Sequence, residues 1–132
     1  MAGLLPFVAG AVLLWADRDP STAAHAAFAL AAYAATIAAF LGGVHWGPAL
    51  RAGGLAPAPL LWGVMPQLAG WGALLMPASA SLPMCAAVLV ACYAVDRRLY
   101  PEAGLAAWLP LRLQLTIVSS TSCLLGAAAQ LR

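Results

Sequence analysis

The stretch AAHAAFALAAYAATIAAFLGGVHWG, residues 23–47, decides the fold class. It is 25 residues without an acid, Lys or Arg, long enough to cross an apolar layer of about 30 Å as a helix. Asp17-Arg18-Asp19-Pro20-Ser21 precedes it, with Pro20 suited to the first helical turn and Ser21 or Thr22 to a cap. Gly47-Pro48 closes it. Positions 23, 27, 31, 35, 39, 43 and 47 are all Ala or Gly. Small residues every fourth position let helix backbones approach closely, although the row drifts by about 40° per step. This pattern predicts tight packing along the row, with Gly43→Leu as the substitution that wedges it apart.

Working outward, four further apolar runs complete the chain: roughly 2–16, 58–76, 82–95 and 109–131. The connections are rich in Gly, Pro and charge, as in Gly53-Gly54-Leu55-Ala56-Pro57 and Asp96-Arg97-Arg98. The whole 132-residue chain is 64% hydrophobic and 8% charged, far from the composition of a water-soluble domain. The expected fold is all-α: one domain over residues 1–132, a polytopic membrane bundle of about five transmembrane helices. Open strand edges are not tolerated in lipid. The first run has no positive leader region and is read as a span rather than a cleaved signal. It is short, since Gly3 to Ala16 covers about 21 Å.

Composition also removes function classes. Six Arg, no Lys and four acids give a net charge of +2 and no basic stripe, so no nucleic-acid partner is expected. No GxSxG, HExxH or P-loop pattern is present, and the four acids are read as loop residues. His25 and His45 are about 30 Å apart along one helix and cannot ligate one haem together. Cys85, Cys92 and Cys123 lie in apolar runs without metal spacing and read as buried thiols. No catalytic residue, metal or cofactor is expected, and the chain reads as non-enzymatic.

The polar residues that remain cluster. Gly42, Gly43 and Gly47 surround His45 and Trp46, allowing close backbone approach to an ionisable side chain near a helix end. Under a five-span threading, Arg51, Trp62, Arg97, Arg98, Tyr100, Trp108 and Arg112 fall on the same side. Such a face either binds a lipid phosphate, quinone headgroup or partner protein, or is simply an aromatic belt with the arginine excess of a cytoplasmic side. Arg112, inside the fifth run, either snorkels or pairs with Asp96 or Glu102. Pro66 and Gln67 place a helix kink beside a polar amide in the third run, either a transporter-like site or a plain kink. The hydroxyls Thr116, Ser119, Ser120, Thr121 and Ser122 either bond helix carbonyls or neighbouring helices, or line a small polar cavity.

Four segments carry a resemblance: Leu41-Gly42-Gly43-Val44-His45-Trp46-Gly47, Leu60-Leu61-Trp62-Gly63-Val64-Met65-Pro66, Asp96-Arg97-Arg98-Leu99-Tyr100 and Leu111-Arg112-Leu113-Gln114-Leu115-Thr116. In order and spacing they resemble the transmembrane protein 69-like family, small bacterial membrane proteins with a mitochondrial relative and a domain of unknown function. The resemblance spans about residues 3–126 and implies a topology class and an address, the bacterial inner membrane, without a mechanism. The arginine bias sets the N-terminus in the cytoplasm. Two functions follow as expectations. One is a non-enzymatic accessory or assembly protein that contacts other membrane proteins within the lipid bilayer. The alternative is a small carrier, or a lipid- or quinone-binding protein, with a site near His45 and the arginine face.

Overall fold

The computed structural model describes residues 2–53 and 57–131. It is all-α: a 3-10 turn, Ala2–Leu4, then α1 (Leu5–Ala16), α2 (Pro20–Val44), α3 (Trp46–Arg51), α4 (Pro57–Leu74) and α5 (Ala78–Leu99), a second 3-10 turn, Ala106–Trp108, and α6 (Leu109–Ala129). Five of these helices form the bundle, and α3 is a six-residue extension of α2. Gly54, Leu55 and Ala56 of the expected glycine-proline loop lie outside the described residues, as does Arg132. Among the described residues, three segments are long and apolar enough to cross a membrane: Pro20–Arg51, Ala78–Leu99 and Ala106–Ala129. Ala2–Ala16 is a shorter apolar helix. With an inner surface of alanine, leucine and cysteine and an outer surface of large apolar side chains, the chain reads as a multi-pass membrane protein.

Helix α2 sits at the centre, packed by α1, α4, α5 and α6. Its N-terminus is built from local chemistry. Pro20 occupies the first turn, and the Asp19 carboxylate accepts from the Thr22 amide at 3.0 Å and from the Ser21 and Thr22 hydroxyls. These bonds, led by the Ser21 hydroxyl, hold the Asp19 carboxyl below its ordinary value of 3.8. A depressed carboxylate stabilises the helix end at neutral pH, and that contribution fades as pH falls through its folded-state value. Amide exchange at Thr22 and Ala23 should therefore accelerate on acidification below about pH 4, relative to the same amides in Asp19→Ala, where acid should change little.

The small-residue row is real for only part of its length. Ala27, Ala31 and Ala35 are buried, whereas Gly43 and Gly47 are exposed, and a Cβ at either would meet open space. The drift of about 40° per step turns the far end of the row off the contact face. The Gly43→Leu expectation is therefore corrected: the close approach lies one residue earlier. A Cβ on Gly42 would collide with the Gly63 carbonyl oxygen, and one on Gly70 would come within 3.0 Å of Ala35. Contacts 42–63 and 35–70 advance in opposite directions, so α2 and α4 run antiparallel. The contact repeat is seven residues, which drifts by only about 20°.

The other helices close around this pair. Trp15 donates its indole N–H to the Leu125 carbonyl at 3.0 Å, joining α1 to α6. Tyr33 donates to Gly3 at 3.0 Å, and its ring meets Phe7 edge-on at 5.0 Å between centroids. Cys85, Cys92 and Cys123 are buried and unbridged, filling space as small apolar groups. Pro66 lies inside a continuous α4, on its buried side.

Candidate functional site: a buried aspartate between arginine and histidine

Helices α5 and α6 are joined by only nine residues, so the last turn of α5 faces the first turn of α6. That geometry sets Asp96 against Arg112. The Arg112 Nε donates to Asp96 Oδ2 at 2.8 Å, and a second guanidinium nitrogen donates to the same oxygen. The other oxygen, Oδ1, is 2.8 Å from His45 Nε2, which arrives from the end of α2. Asp96 has 0% exposure, and Arg112 and His45 have 8% each. The Tyr100 ring stacks obliquely on His45 at 5.8 Å between centroids and is itself buried.

The proton arrangement follows from donor chemistry. Arginine stays charged and has no acceptor, so an ionised Asp96 neutralises it. A carboxylate only accepts, so the His45 nitrogen facing it must carry a proton. With neutral histidine the cluster carries no net charge, and with imidazolium it carries one positive charge. A buried ionic cluster is a poor way to gain stability compared with apolar packing. At membrane depth, ionisable groups mark function by default.

Two spaces adjoin the cluster. A cleft of about 320 Å³ is lined by Phe40, Val44, Tyr100, Trp108, Leu111 and Arg112, among others, and its walls are almost wholly apolar. A smaller space of about 120 Å³ runs inward past Arg112, Thr116 and Ser119, one face of α6 at helical spacing. The hydroxyls of α6 do not act alike: Ser120 Oγ is buried with no hydrogen-bond partner among the described residues. Ser119 bonds the carbonyls of Leu115 and Thr116, and Thr116 and Ser119 also line the small space. Another cleft, about 340 Å³, opens at the opposite end near Asp17 and Arg18, and no buried ionisable group lines it.

The structure sorts the residues singled out in the sequence. His45 and Arg112 meet in the cluster, and Arg112 takes the Asp96 pairing rather than snorkelling. Arg51, Arg97 and Arg98 are exposed at the same end and touch neither partner. Trp46 packs its indole over Gly63 and donates to the Leu60 carbonyl at 3.2 Å, which makes Gly42, Trp46 and Gly63 a packing seam. Trp62 is half-buried, Gly43 and Gly47 face open space, and Gln67 is exposed beside the buried Pro66. What the sequence reading missed at Asp96 is its burial within a helix, since pairing with Arg112 was among the expectations. Reading Asp96 as a loop residue is corrected, because α5 runs four residues past the expected stop at 95, whereas Asp17, Asp19 and Glu102 do lie outside the helices. Asp96 is buried there, while Arg97 and Arg98 turn outward. The available signal was an acid and a buried-run arginine flanking one short connection.

The chain matches the family model described as protein of unknown function (DUF3429) over residues 1–128. It belongs to that family. No curated protein and no solved structure matches it. Within this DUF3429 protein, the Arg112–Asp96–His45 cluster is the feature that packing alone explains least.

Proposed function

We propose that this DUF3429 chain is a bacterial cytoplasmic-membrane protein of about five spans that binds a small amphiphile. The apolar body would lie in the cleft between Phe40 and Trp108, with a hydrogen-bond-accepting or anionic head at Arg112. The carrying observation is that Arg112, held by a fully buried carboxylate, also lines that cleft. A lipid or a quinone-like molecule has the required chemistry. Five spans are supported by α4, which lies antiparallel along α2. A cytoplasmic N-terminus is supported by the exposed Arg51, Arg97 and Arg98 at the His45 end, against Arg18 at the other. The bacterial address rests on the likeness to transmembrane protein 69-like proteins.

Native mass spectrometry of the purified protein should reveal a retained molecule. Leu105→Trp, at the cleft wall, should release it while leaving the melting profile unchanged. A protein that retains nothing from membrane extracts would overturn this reading. The accessory or assembly reading is second, favoured by the exposed apolar face of α4, including Leu61, Leu68 and Trp71. Stable co-migrating membrane partners in mild detergent would favour it.

A further inference from the structure

Thr116 is the polar side chain beside the cluster that the fold leaves unused. It is 6% exposed, and its hydroxyl makes no hydrogen bond among the described residues. Ser119, by contrast, spends its proton on the carbonyls of Leu115 and Thr116. Thr116 lines the inner space of about 120 Å³, and unlike Ser120 Oγ its oxygen is not sealed off. A buried hydroxyl that bonds nothing in the protein is costly. One that borders a cavity recovers that cost when a bound molecule accepts from it.

The inner space is about the size of one ring, since an apolar cavity of about 150 Å³ holds benzene. Its walls include Phe7, Ile37 and Leu89. Two unspent donors interrupt them, Arg112 and Thr116, four residues and about 6 Å of rise apart on one face of α6. Asp96 occupies only part of the guanidinium's set of N–H groups. The space adjoins the outer cleft, because Phe40, Leu41, Arg112 and Leu115 line both. The cleft in turn reaches the outer surface of the bundle, where Phe40 and Trp108 are exposed. Helix α6 belongs to one of the candidate membrane spans, so that surface is a route in from lipid.

We propose that the inner space binds the ring of a quinone, with its isoprenoid tail in the outer cleft. One carbonyl accepts from Arg112 and the opposite one from the Thr116 hydroxyl. The two oxygens of a para-quinone are separated by about one helical turn, which is the spacing of the two donors. Charge selects this head. Ionised Asp96 already neutralises Arg112, so an enclosed phosphate or carboxylate would add an uncompensated buried charge, whereas a quinone needs only donors. Size selects it as well, because a phospholipid headgroup with its glycerol exceeds a ring-sized space. This inference rests on the amphiphile reading above and narrows it to a neutral, ring-headed molecule.

The probe is decylubiquinone, titrated into the full chain in phosphatidylcholine nanodiscs. Saturable quenching of tryptophan fluorescence reads its affinity, and infrared difference spectra read its carbonyl bands. The native chain should bind it with both bands shifted to lower frequency. Thr116→Val keeps the shape and removes the hydroxyl. It should weaken binding about ten-fold, return one band to its free position and leave the melting profile unchanged. Thr116→Ser should restore most of the affinity. Unchanged affinity and unchanged bands in Thr116→Val overturn the proposal. So does a native chain that ignores decylubiquinone yet retains oleate or phosphatidylglycerol in native mass spectra, with the retained molecule lost on Leu105→Trp. That second result leaves the amphiphile reading standing, whereas retention of none of the three molecules defeats both.

Discussion

Arg112→Met should destabilise the folded bundle by about 3–5 kcal/mol, the scale measured when one partner of a buried ion pair is removed. The side chains are similar in length, so little packing is lost. What remains is the carboxylate of Asp96, fully enclosed, with His45 as its remaining ionisable hydrogen-bond partner among the described residues. Asp96→Leu should be comparably harmful for the mirrored reason, since it strands the guanidinium. The informative variant is the double substitution, Arg112→Met with Asp96→Leu. It leaves neither charge, and the apolar replacements can pack, so much of the loss should be recovered. Unfolding of all four proteins in one detergent checks this. Additive losses would mean that the two residues are not coupled, contrary to their shared bonds. The double variant should also lose the amphiphile, which separates the stability of the site from its use.

Gly42→Ala carries the second large effect. Its new methyl meets the carbonyl oxygen of Gly63, and backbone, unlike a flexible side chain, cannot swing aside. The helices must separate along the seam where α2 and α4 touch, at about 1–3 kcal/mol or more for overpacking. Gly63→Ala faces the Trp46 indole instead, which would have to leave both its packing site and its bond to Leu60. Gly43→Ala is the control one residue away. Open space surrounds it, so the ordinary helix preference for alanine should make it neutral or slightly stabilising. A melting series in detergent should therefore alternate in sign between neighbouring glycines. Equal losses at 42 and 43 would contradict the described contact face.

The bundle was legible because apolar length is a strong signal. The alanine run at 23–47 and the charged stop after Val95 announce helices without any tertiary knowledge. Which glycine touches which neighbour was not legible, since it depends on helix rotation. A drift of about 40° every four residues is enough to move Gly43 from the seam to the surface. Half of the cluster was legible. Histidine beside glycines and an arginine in an apolar run both stood out. Asp96 was legible as a partner for Arg112, but its burial was not, because an acid followed by two arginines looks like a water-facing loop. Its inward direction comes from the extra turn of α5, which puts 96 on the buried face and 97 and 98 on the outer one. The exposure of Gln67 was equally hidden, because periodicity places a residue on a face but not the neighbour that would cover it.

The short link between α5 and α6 also bears on how the protein enters its membrane. Asp96 and Arg112 are sixteen residues apart in the chain, and His45 is fifty-one away on a helix made much earlier. An isolated helix brings a lone aspartate or arginine into lipid at about 2.5–3.5 kcal/mol when the charge sits near its middle, and less toward its end. Paired across the hairpin, the two charges cancel before either is committed. The insertion machinery is thus better offered α5 and α6 as one unit than as successive helices.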